Sequence, residues 1–244
     1  MTHVKNIEAF SRLVGFCSGY GGNYNPGRQT LQIDALVNQL NVTQSALEQV
    51  KVAKTDYDNE VNRRKQTFDQ LPRLAASMLR LLEASGAKPE KLDDARSFVH
   101  QLLGRSPKNR GPLGIPSDEA SPMEKKATVQ RSALQLAYVS KADTFSRLVK
   151  AVSSEPMYSA NESTLSTEGL DAKVQELYQL NRQVADARAR WSKAMIERNS
   201  AMYGPEVSMI KTAQATRKYV RAIFGHDSEQ YGLIKSLDFT SPRR

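Results

Sequence analysis

Apolar residues recur at intervals of three and four over two long stretches of the chain. From residue 36 they fall on two rows: Leu36, Thr43, Val50, Tyr57, Arg64 and Leu71 on one, and Leu40, Leu47, Lys54, Val61 and Phe68 on the other. From residue 170 the rows are Leu170, Leu177, Val184, Trp191 and Arg198, and Val174, Asn181, Arg188, Met195 and Met202. Such spacing, held for about five heptads, predicts a long amphipathic helix, because 3.6 residues per turn brings these positions onto one face. Each stretch is expected to form a helix of about 36 residues, roughly 50 Å long. Runs of alternating apolar and polar residues rich in β-branched side chains are lacking, so strands have little support.

The two stretches match at an offset of 134, exceptions included: Lys54 answers to Arg188, Tyr57 to Trp191, Arg64 to Arg198. Upstream, FSRLV at 10–14 returns at 145–149, and the spacing Tyr-x5-Thr-Leu-x4-Leu runs from Tyr24 to Leu36 and again from Tyr158 to Leu170. Pro72 and Pro205 come after the long rows, where proline breaks or kinks a helix or opens the next one. Gly86 and Gly225 stand where a left-handed residue can stop a further helix. The expected fold is all-α: two tandem up-and-down helical-bundle repeats with long antiparallel helices, in a pseudo-twofold or an end-to-end arrangement. The expected boundaries are 1–104 for the first repeat, 105–122 for a Pro/Gly linker and 123–244 for the second repeat. The final FTSPRR is expected to fray.

Composition narrows the function classes. Net charge is +9, with 25% charged and 39% hydrophobic residues. The positive excess is spread along the chain rather than gathered in a block, which favours solubility and weak attraction to polyanions over a dedicated nucleic-acid footprint. The single cysteine, Cys17, excludes an internal disulfide and a four-cysteine metal site. The opening MTHVKNIEAF lacks the apolar run of a signal peptide, and no apolar run long enough for a membrane span occurs after it. The expected location is therefore cytoplasmic, without membrane contact.

Candidate chemistry is sparse. Phosphate-loop, dinucleotide, zinc-protease and nucleophile-elbow motifs are missing. Three histidines, His3, His100 and His226, lie far apart in sequence. No catalytic, cofactor-binding or metal-binding residues are assigned, and no cofactor or metal is expected. The glycine-rich SGYGGNYNPG at 18–27 reads as an inter-helix loop with Tyr24 tucked into the bundle end, because its counterpart around Tyr158 has no glycine. Lys54, Arg64, Arg188 and Arg198 sit on apolar seams and are candidate repeated anion-contact cations. The alternative is that their aliphatic stems pack while their heads reach water or acids such as Asp58, Glu60, Asp186 and Glu197. Cys17, among Leu13, Val14 and Phe16, reads as a buried, inert thiol.

The segments FSRLV-x-AVSSEPMYSANESTL, ARARWSKAMIERNSAMYG, TRKYVRAIFGHDSEQYGLIKSLDFTSP and EASGAKPEKLDDARSF resemble a group of uncharacterised bacterial proteins built as a tandem helical duplication. The resemblance implies that architecture and brings no activity or catalytic residues. The expected function is a non-enzymatic structural or protein-interaction and assembly protein, with a protein partner or self-association. The alternative is a nonspecific nucleic-acid-binding protein that uses a diffuse basic surface.

Overall fold

The apolar rows that begin at Leu36 and Leu170 become the two longest helices of the computed structural model, which describes residues 2–104 and 122–240. Among the described residues there are seven α-helices and no strand. They are α1 (Thr2–Gly19), α2 (Ile33–Ala84), α3 (Pro89–Leu102), α4 (Pro122–Ser153), α5 (Thr167–Tyr203), α6 (Met209–Phe224) and α7 (Glu229–Lys235). The expected linker at 105–122 lies outside the described residues except for Pro122, which opens α4.

Helix ends reflect local chemistry. Gly86 and Gly225 both take positive φ, +75° and +94°, as a stop without Cβ allows. Pro89 opens α3 at its first turn, where its missing N–H costs nothing. Ser228 caps α7, its Oγ accepting from the Tyr231 amide at 3.1 Å. Pro72 departs from expectation: α2 runs through it without a break. Proline there removes one backbone hydrogen bond and crowds the preceding turn, at a cost of about 3 kcal/mol in an isolated helix. Buried Phe68, Leu71, Ala75, Met78 and Leu82 flank it at helical spacing. Their burial, roughly 1.5–3 kcal/mol for each large side chain, outweighs that cost. Pro205 behaves differently, because Gly204 and the residues up to Ser208 separate α5 from α6.

The chain packs into two units, Met1–Tyr57 with Ala187–Arg244, and Asp58–Asp186. Each unit has its own core. In the first, Phe10, Leu13 and Val14 of α1 pack with Leu36 of α2, Met202 of α5, Ile210, Ala213 and Val220 of α6, and Ile234 of α7. In the second, Phe145, Leu148 and Val149 of α4 pack with Leu71, Met78 and Leu82 of α2, Val99 of α3 and Leu170 of α5. The two FSRLV copies thus do the same job, one per core. Their arginines do too: Arg12 pairs with Glu8 at 2.6 Å and Arg147 with Asp143 at 2.8 Å, each one turn back.

Each unit draws on both halves of the chain. α1 and the start of α2 are joined by the C-terminal helices α6 and α7, whereas α4 and the start of α5 are joined by the end of α2 and by α3. The loops after α1 and α4 share a lock. Tyr24 Oη donates to the Leu31 carbonyl at 2.7 Å, and Tyr158 Oη donates to the Leu165 carbonyl at 2.8 Å. Both tyrosines are buried, so each hydroxyl needs this acceptor. Of the final FTSPRR, residues 241–244 lie outside the described residues, and Thr240 is held by Asn6. Asn6 Nδ2 donates to the Thr240 carbonyl at 2.7 Å, and its Oδ1 accepts from the Thr240 amide at 2.9 Å.

Candidate functional site

Two of the four seam cations meet in one place. α2 carries Lys54 and Tyr57 three residues apart, and α5 carries Arg188 and Trp191 at the same interval, so each helix presents a cation and a ring on one face. The rings stack with centroids 5.4 Å apart. Lys54 Nζ lies 5.1 Å from the Trp191 ring and 6.0 Å from Tyr57, while Arg188 Cζ lies 4.8 Å from Trp191 and 5.8 Å from Tyr57. Each cation therefore rests against the negative faces of both rings, worth about 0.5–1 kcal/mol per contact at a partly exposed site.

The other two cations are elsewhere. Arg64, only 4% exposed, belongs to the second unit. Its guanidinium carbon sits 4.1 Å over the Tyr138 ring and its Nη1 donates to Asn181 Oδ1 at 3.5 Å. Phe68 meets the same tyrosine edge-on at 5.0 Å. Arg198, in the first unit, donates from Nε and Nη2 to Asn199 Oδ1 at 3.1 and 2.7 Å. Of the four cations, Lys54 and Arg188 thus share one pair of rings, while Arg64 and Arg198 have other partners. Two of the acids considered as partners are engaged by neighbours: Asp186 faces Arg182 at 3.9 Å and Glu197 faces Lys193 at 3.8 Å.

A groove of about 450 Å³ opens on the first unit, where Asn41, Val42, Ala46 and Gln49 of α2 face Glu197 and Ala201 of α5. Sequence reasoning missed it. Its floor is open because position 46 carries alanine, while the corresponding position of α5 carries Leu180, which is only 2% exposed. Val42 in its lining remains exposed.

Reactive groups stay apart or are suppressed. Cys17 is buried in the first core, and burial pushes its thiol up to about 11, so the thiolate is scarce at neutral pH. His3 is on α1, His100 on α3 and His226 just after α6. His3 Nδ1 lies 2.9 Å from Tyr203 Oη. Among the described residues no group of three His, Cys, Asp or Glu side chains could hold a metal ion, and no helix is long and apolar enough to cross a membrane. Comparison with protein families, with curated proteins and with solved structures finds no match to this chain, so the resemblance to a bacterial family gains no support from them.

Proposed function

We propose that this chain is a non-enzymatic structural or protein-interaction protein, built by duplication of a helical unit whose halves exchange elements. The duplication is supported by the shared offset of FSRLV, of the tyrosine locks and of the Lys54–Tyr57 and Arg188–Trp191 pairs. The interaction role is carried by the groove between α2 and α5, whose small floor residues Ala46 and Ala201 and exposed rim residue Val42 suit the apolar face of a partner helix. Affinity purification with the wild-type chain and with an Ala46→Leu variant that fills the groove tests this. A protein retained by the first and lost by the second is the expected result. An unchanged set of retained proteins, or substrate turnover in a broad activity screen, contradicts it.

A second reading, nonspecific binding of nucleic acid through a diffuse basic surface, rests on the net charge of +9 and on the meeting of Lys54 and Arg188. Backbone neutralisation strengthens as salt falls. A gel shift with DNA and RNA at low and at physiological salt decides it, and absence of a shift at low salt eliminates it.

A further inference from the structure

The two tyrosine-locked loops share the tyrosine hydrogen bond and one turn hydrogen bond but differ in one charge. Leu31 N donates to the Arg28 carbonyl at 2.9 Å, and Leu165 N donates to the Glu162 carbonyl at 2.9 Å, so arginine and glutamate occupy the same place in the same turn. The long helices downstream differ as well. The helix after Arg28's loop runs on through Pro72, whereas the helix after Glu162's loop stops at Tyr203, and the segment Gly204–Ser208 leads into α6. That break faces the 3₁₀ turn Gln29–Leu31, which packs against α6 in the first unit. Between them lies a cavity of about 150 Å³, lined by Arg28 and Thr30 of the loop, Glu206 of the break, and Lys211 and Thr212 of α6.

We propose that this cavity binds a phosphate group, free or as a small monoester. Its volume holds about five waters, at roughly 30 Å³ each, which suits a tetrahedral oxyanion and is too small for a drug-sized ligand. The lining supplies two cations and two hydroxyls. Among the described residues no carboxylate lies within ion-pair distance of Arg28 or Lys211, although Glu206 shares the lining. Lys211 Nζ instead donates to the Pro205 carbonyl, a neutral acceptor that leaves its charge uncancelled. Arg28 offers the planar, forked donors that match phosphate oxygens, and Lys211 adds a point charge. The start of α6 contributes further, since its first turn has no acidic residue and the Ser208 side chain accepts no capping hydrogen bond from it. Glu206 sets a limit on charge and favours a single phosphate over a polyphosphate.

Isothermal titration at low salt with inorganic phosphate, and separately with glycerol 3-phosphate, tests the site. The wild-type chain should bind one equivalent. Arg28→Glu, which installs the acid of the other loop, should weaken binding at least about tenfold. Lys211→Gln should weaken it too, and Lys218→Glu, an equal charge change elsewhere on α6, should alter it by less than about twofold. Tighter binding of the monoester assigns the ligand to an ester, and binding of inorganic phosphate alone assigns the free ion. Absence of binding by both probes overturns the proposal, as does an equal loss in the Arg28 and Lys218 variants. Circular dichroism of each variant confirms that the helices are intact.

Discussion

Tyr57 and Trp191 stack with ring centroids 5.4 Å apart and 27° between their planes, although they occupy corresponding positions 134 residues apart in the chain. Lys54 against Trp191 and Arg188 against Tyr57 make the contact reciprocal. The pair should therefore couple energetically. Tyr57→Ala and Trp191→Ala should each lower stability, and a double-mutant cycle by urea unfolding should give a coupling of about 0.5–1.5 kcal/mol. A coupling near zero would show that the rings lie close without holding the helices together.

Pro72 offers a test in the opposite direction. It sits within α2 and withholds a backbone donor there. Pro72→Ala restores that donor and removes the clash with the preceding turn, so the variant should gain about 1–3 kcal/mol in urea unfolding. A loss of stability would mean that the local geometry at Pro72 is required by the packing of Leu71 and Ala75.

His3 predicts a pH dependence. Burial, and secondly the nearby Arg198, hold its pKa below the usual histidine value of 6.5. The unfolded chain then binds a proton at a higher pH than the folded one. Stability from this group is complete above pH 6.5 and declines as pH falls through the folded pKa. Thermal melts between about pH 7.5 and 5 should show a fall in midpoint that His3→Gln reduces. Identical pH profiles for the two proteins would sink the assignment.

The buried thiol gives a chemical readout. With its pKa raised to about 11, Cys17 should resist a disulfide reagent at about pH 8 in the native protein and react fully once the chain is unfolded. Prompt native-state labelling would contradict the burial of α1 against α6.

The helices are legible in the sequence because burial on one face imposes a 3.6 period, and Leu36, Phe68, Leu71, Leu170 and Leu177 lie on it and are buried. The tyrosine loops are legible because both copies keep the spacing that lets a buried hydroxyl reach its carbonyl. Pro72 misleads because a proline's local preference is visible in sequence, whereas the packing of Ala75 and Met78 that overrides it is tertiary. The assembly of each unit from both halves of the chain is hidden for a related reason: an apolar face on α1 specifies that it be covered, not that α6 cover it. Lys54 and Arg188 read as members of separate pockets, although their shared three-residue spacing to an aromatic is the signal that they face one another. The cavity at Arg28 has only a faint signal, the replacement of arginine by Glu162 in a matching loop.

Each unit needs both halves of the chain, and cutting between the halves tests this requirement. A protease site placed within residues 105–121 and cleaved after folding gives the readout by light scattering under native conditions. One particle with the mass of the intact chain, separating into two fragments only in denaturant, is the predicted result. Two species that part in native buffer and keep their helices would contradict it.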